Sequence, residues 1–199
     1  RLDALGRKNI SGNWAFIQGN LYWSFYLEPV VYETVKRMAN EFVILGQLQN
    51  AFNFRLIPEL EGVLGGVSTV RGYPQSTVAG DNLYMASAEY RLHIPQLLKP
   101  NPRSKKKLFK KEFRWAPAQP KGRADWDFIL RAFYDLGKTT NNHRVKGEKN
   151  YVVEGLGFGA DFVLWSNLVL KYDWGVALKS ANGIHHGNKE SYFTAVLMY

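Results

Sequence analysis

Few residues of this 199-residue chain have the type and spacing to do chemistry, and the clearest is Arg71. It lies in a glycine-rich stretch, residues 64–74, reading Leu-Gly-Gly-Val-Ser-Thr-Val-Arg-Gly-Tyr-Pro. A guanidinium is a rigid fork of donors that a carboxylate accepts bidentately, which fixes orientation as well as position. Gly65, Gly66 and Gly72 allow tight turning and close approach to another backbone. Tyr73, after Val70 and Arg71, brings an apolar body whose hydroxyl needs a polar partner. The expected carboxylate is Asp135, which alternation places on a polar strand face. Glu89 and Arg131 are the expected neighbours of that pair, with Phe133 and Gly137 beside it on the same strand.

Other chemistry is not indicated. Cysteine is absent, which removes disulfides, thiol nucleophiles and thiolate metal sites. His93, His143, His185 and His186 lack metal-ligand spacing, and no Ser-His-Asp arrangement is evident. Gly155-x-Gly157-x-Gly159 lacks the third-glycine spacing of a dinucleotide loop and is read as permitting bending or close backbone approach. The chain is therefore expected to be no enzyme, with no cofactor and no metal.

The elements that must position Arg71 and Asp135 read as strands, because seven segments alternate with period two. From Trp14, Ala15, Ile17, Leu21, Trp23 and Phe25 oppose Gln18, Asn20, Ser24 and Tyr26. A second strand runs from Phe42 to Leu56, a third sets Tyr84, Ala86, Ala88, Tyr90 and Leu92 against Ser87, Glu89, Arg91 and His93, and a fourth sets Phe128, Leu130, Ala132, Tyr134 and Leu136 against Asp127, Arg131, Asp135 and Gly137. A fifth, over about 150–160, is rich in glycine. The sixth spans Leu168 to Leu178, and the seventh ends at Tyr199. Segments of about 11 to 15 residues exceed the usual 5 to 6 of soluble strands and suit a membrane-spanning strand, which needs about 9 to 11. Aromatics lie near several ends (Trp23, Phe25, Tyr84, Phe128, Trp174, Tyr199), as in interfacial girdles. The expected fold is all-β, an antiparallel transmembrane barrel. Seven strands do not close a bacterial barrel, and the chain opens at Arg1 in mid-pattern, so a fragment is expected.

No run of about 18 apolar residues occurs, which excludes a transmembrane helix. The net charge of +9 suggests nucleic acid at first sight. Residues 96–125 hold ten basic and two acidic residues, however, so this one stretch supplies +8 of it. No nucleic-acid partner is expected. The stretch reads as a Pro- and Lys-rich solvated excursion, able to meet anionic lipid headgroups at about 1 kcal/mol per nearby cation. With the C terminus periplasmic, the 95–125 insert is periplasmic, 161–166 is a tight periplasmic turn, 139–149 is an outer loop and the 58–81 arginine loop is extracellular, folded inward.

Three blocks together resemble the two-partner secretion transporters, the haemolysin/haemagglutinin activator family related to outer-membrane assembly insertases. They are Leu64 to Tyr73 with Gly80-Asp81 and Ser87-Ala-Glu89-Tyr-Arg91, then Phe133-Tyr-Asp135-Leu-Gly137, then Tyr172-Asp-Trp-Gly-Val-Ala-Leu178 leading to Tyr199. The resemblance covers about 42 to 199 and implies the C-terminal half of a roughly sixteen-stranded barrel. It also implies preceding periplasmic polypeptide-binding (POTRA) domains and a bacterial outer-membrane location. Those domains and the early strands are absent here, and the basic insert is longer than the usual turn.

By that resemblance the chain exports a partner exoprotein, of adhesin or haemolysin type, past an Arg71–Asp135 lumen latch. Phe193, Leu197 and Tyr199 resemble the terminal signal read by the barrel assembly machinery. Membrane lipid is the remaining expected partner. The alternatives are an insertase for other barrels and, less favoured, a passive diffusion porin. A soluble lipid-binding sheet fails on strand length.

Overall fold

A computed structural model describes residues 6–34, 37–103, 105–108, 110–119, 122–165 and 167–198. In chain order the strands are β1 (Ile17–Tyr26), β2 (Asn40–Asn50), β3 (Gly62–Leu64), β4 (Val78–Gly80), β5 (Asn82–His93), β6 (Lys105–Leu108), β7 (Lys111–Arg114), β8 (Trp126–Thr140), β9 (Tyr151–Leu164), β10 (Leu168–Ala177) and β11 (Lys189–Leu197). A single helical turn, α1 (Glu28–Val31), joins β1 to β2.

Seven strands make one antiparallel sheet in the order β1-β2-β5-β8-β9-β10-β11. Each strand neighbours the next long strand in sequence, so the sheet is a plain meander. Its strands run from 9 residues in β11 to 15 in β8. The sheet is open, with β1 and β11 as its edges. The short pairs β3–β4 and β6–β7 lie within the β2–β5 and β5–β8 connections.

The two faces of this sheet differ in an unusual sense. On the outer face Leu48, Tyr84, Leu130, Tyr134, Leu136, Leu156, Phe158, Tyr172 and Phe193 are exposed. On the inner face Glu89, Arg131, Asp135, Asp161 and Asp173 are buried. The chain buries charge and displays hydrocarbon, opposite to the usual partition. Outer-face charge sits toward the 141–150 loop, where Lys138 is exposed and Glu154 pairs with Lys179 at 2.6 Å.

A cluster of buried apolar residues sits on the inner face. Leu64, Val70, Tyr73 and Val78, from the 51–81 connection, pack with Leu83, Met85, Val153, Ala177 and Ala181. Burying such side chains is worth about 1.5–3 kcal/mol each. The connection is thus folded back onto the sheet.

Three expectations need correction. The second strand stops at Asn50, although Phe52, Phe54 and Leu56 continue its alternation. The Asn50 side chain accepts the Phe52 amide at 2.7 Å, and Phe52 takes φ 54°, which turns the chain. At the other end β9 continues through Leu164, because Asp161 and Val163 pair with both neighbouring strands, and the turn expected at 161–166 begins only at Trp165. The basic stretch is not merely a solvated excursion. It forms the β6–β7 hairpin, anchored by buried Phe113 edge-on to Trp115 (4.7 Å) and Trp165 (5.6 Å).

Candidate functional site

Strand register explains how the inner face receives Arg71. Ser87 is opposite Asp135, which is opposite Gly155, and that residue faces Ala177. The next row toward the β5 C terminus reads Glu89, Phe133, Gly157, Gly175. The row after that reads Arg91, Arg131, Gly159, Asp173. Acceptors therefore stand on β5 and β8, while glycine on β9 and β10 leaves space for a second backbone. A Cβ at Gly155 would collide with the Arg71 carbonyl oxygen, and one at Gly175 would lie 2.8 Å from the Gly72 amide. Of the Gly155-x-Gly157-x-Gly159 series, Gly155 serves close approach of the loop, while a Cβ at Gly157 or Gly159 would meet Phe133 or Asp173.

Into this space the loop inserts Arg71. Its Nε donates to Asp135 Oδ2 at 2.8 Å and its Nη2 to Oδ1 at 2.7 Å. The Arg71 amide also donates to Asp135 Oδ2 at 3.0 Å. Nη1 reaches Glu89 Oε1 at 2.6 Å, and Nη2 reaches the Ser87 hydroxyl at 3.2 Å. Ser87 in turn donates to Asp135 Oδ1 at 2.6 Å. The guanidinium carbon stands 3.4 Å from the centroid of the Phe133 ring, in cation–π contact. Asp173 Oδ1 closes the surround at 3.5 Å.

Glu89 and Phe133, expected as flanking neighbours, touch the guanidinium directly. Arg131 does flank it: it reaches Asp161 (2.7 Å), Asp173 (3.0 Å) and Glu89 (3.7 Å) rather than Arg71's main partner. Gly137 lies beneath Leu64 and Val70 of the loop. Gly65, Gly66 and Gly72 all have positive φ, near 111°, 100° and 95°. Tyr73 is fully buried; its hydroxyl donates to the Lys179 carbonyl at 2.7 Å and accepts the Glu154 amide at 3.2 Å. Tyr192 then donates to the Tyr73 carbonyl at 2.6 Å. The motif loop is thus bonded to five strands or their ends. Phe193 and Leu197 lie exposed on β11, and Tyr199 is outside the described residues.

An ionic ladder continues down the inner face from Arg71. Glu89 also accepts Arg91 at 2.8 Å, Arg91 approaches Glu41 at 3.8 Å, and His93 lies between Glu41 (3.3 Å) and Asp127 (2.6 Å). Alternation had put Arg91 and His93 on this face, but nothing in their spacing predicted a ladder.

A second charged cluster, at the loop's base, was not legible in the sequence. Arg7 donates to Asp81 Oδ1 at 2.6 Å and Oδ2 at 3.1 Å, and pairs with Glu61 at 2.9 Å. Asp81 also accepts the amides of Leu56 and Asn142, each at 2.7 Å. Arg55 is fully buried and pairs with Glu148, while its Nε donates to the Lys8 carbonyl at 2.6 Å. This collar ties the segment before β1, both legs of the arginine loop and the β8–β9 connection. Gly80-Asp81 had been noticed as part of the motif, which was the one available signal. Arg7 and Asp81 are 74 positions apart.

Among the described residues no cluster of His, Asp and Glu could hold a metal ion, and none of their helices is long and apolar enough to cross a membrane. Comparison with protein-family models, curated proteins and solved structures gave no match.

Two outcomes are expected. Gly155→Val should push the loop off the wall, raising trypsin cleavage after Arg71 by about tenfold as the open form becomes more populated; unchanged cleavage would contradict the close approach. The second concerns acid. The hydrogen bond from Arg55 holds Glu148 at about 2, against burial and with help from the Val145 amide, whereas a free glutamate titrates near about 4.3. A depressed carboxylate contributes fully above its unfolded value and is lost as pH falls toward 2. The gap in thermal midpoint between wild type and Glu148→Gln should therefore be wide at pH 7 and shrink to about a quarter of that by pH 2.5. A gap as wide at pH 2.5 as at pH 7 would refute the pairing.

Proposed function

We propose that this chain is the C-terminal part of an outer-membrane β-barrel pore that exports a partner polypeptide, with Arg71 holding an inward-folded loop in the lumen. The observation carrying this reading is the inverted sheet: exposed hydrocarbon outside, and inside a guanidinium enclosed by Asp135, Glu89 and Asp173. Exposed apolar surface on this scale has a natural complement in lipid, and a barrel is the sheet form that leaves no unpaired edge there. Strands of 9 to 15 residues are long enough to span. The open edges at β1 and β11 are then closed by further strands of the complete barrel.

In this reading the 51–81 connection enters from the extracellular side and occupies the path of an extended polypeptide. A filled inner face disfavours an open diffusion porin. An insertase would share the latch, and the resemblance of Gly80-Asp81 and Ser87-x-Glu89-x-Arg91 favours secretion. The β6–β7 hairpin presents Lys106 and Lys107 at the periplasmic rim, facing lipid headgroups.

Phe158, exposed in the middle of β9, provides the membrane test. If lipid covers it, Phe158→Arg should cost about 2–4 kcal/mol of stability in bilayers. At a water-exposed position the same change stays within about 0.5 kcal/mol, and that result would sink the reading. Arg71→Ala should lower export of the cognate exoprotein without abolishing barrel insertion; wild-type export by such a mutant would remove the latch from the mechanism.

A further inference from the structure

The place occupied by Arg71 has the composition of a receptor for a guanidinium in general. It offers a bidentate carboxylate at 2.7 and 2.8 Å (Asp135), a second carboxylate at 2.6 Å (Glu89), a hydroxyl at 3.2 Å (Ser87) and an aromatic face at 3.4 Å (Phe133). All of these groups except the loop itself belong to the wall strands β5 and β8. The receptor therefore stays assembled when the loop departs.

Departure without replacement is strongly opposed. Asp135 is fully buried, and apart from Ser87 every hydrogen bond it accepts comes from Arg71. Removing one partner of a buried pair strands the other charge, which is far costlier than the pair is stabilising. The surrounding cations cannot substitute. Arg131 is divided between Asp161 and Asp173, and Arg91 between Glu89 and Glu41. Lys171 stands opposite Asp161, a row further down. Oδ1 of Asp161 and Oδ1 of Asp173 already hold Arg131 at 2.7 and 3.0 Å.

We propose that an arginine side chain of the exported polypeptide takes the Arg71 seat as the loop leaves it, so that opening is an exchange of one guanidinium for another. This inference rests on the export reading above and assigns that site its ligand class: an extended segment carrying arginine. Arginine is preferred to lysine because the seat is planar and forked, matching two carboxylates and a ring face at once, whereas an ammonium is a point donor.

The test uses the full-length protein reconstituted in planar bilayers. Two neutral-backbone peptides of equal length are added on the periplasmic side, one bearing a single arginine and the other citrulline at that position. The arginine peptide should alter the wild-type current at about tenfold lower concentration, and Asp135→Asn should abolish that difference. In a parallel arm, Arg71→Ala protein in detergent is heated with methylguanidinium or methylammonium. Methylguanidinium should raise the melting temperature of this variant and not of wild type, where the seat is filled. Equal potency of the two peptides on wild type overturns the proposal, and so does a variant that melts indifferently to methylguanidinium. A wild-type protein that forms no pore overturns the export reading and this proposal together, whereas pores blind to guanidinium overturn only the exchange.

Discussion

The structure depends on how buried carboxylates on the inner face are neutralised. Taking Asp135, Glu89 and Asp173 out of water is expensive, by several kcal/mol per ion even after relaxation. A single guanidinium delivered by the loop meets all three within 3.5 Å. Charge-assisted hydrogen bonds return about 1.5–3 kcal/mol each, and Arg71 makes several at once because its five donors are held in one plane. The loop fold, the glycine rows and the buried Tyr73 all serve to bring that plane into register. Loop and wall are consequently interdependent: neither is satisfied alone.

The glycines give this dependence its geometry. Strand β9 would ordinarily place inward side chains at 155, 157 and 159 between the acceptors of β8 and β10. The absence at 155 lets Arg71 lie directly on β9, and Gly175 lets Gly72 lie on β10, close enough for the Arg71 amide to reach Asp135. The same absence explains why β9 is the least patterned of the long strands. At Gly155 its inner face is covered by the loop's backbone, and at Gly157 and Gly159 by the side chains of Phe133, Arg131 and Asp173.

Much of this could be read from residue order. Alternation set Ser87, Glu89, Arg91 and His93 on one face of β5, and Arg131 and Asp135 on the matching face of β8, because side-chain direction in a strand has period two whatever its neighbours do. Strand ends were less legible. Phe52 and Phe54 kept the rhythm of β2, yet a local hydrogen bond from the Phe52 amide to the Asn50 side chain turned the chain. Asp173 and Asp161 joined the site through lateral register across β9 and β10, which pattern along a single strand does not encode. The collar was least visible of all. Arg7 precedes any strand and meets Asp81 only after the sheet and the loop are both in place, and Arg55, assigned by rhythm to β2, belongs to the connection.

That collar has a mechanical consequence. Asp81 is one residue before β5, and its two oxygens are divided among Arg7, Leu56 and Asn142. The segment ahead of β1, both roots of the inserted loop and the neighbouring hairpin connection are therefore held at one carboxylate.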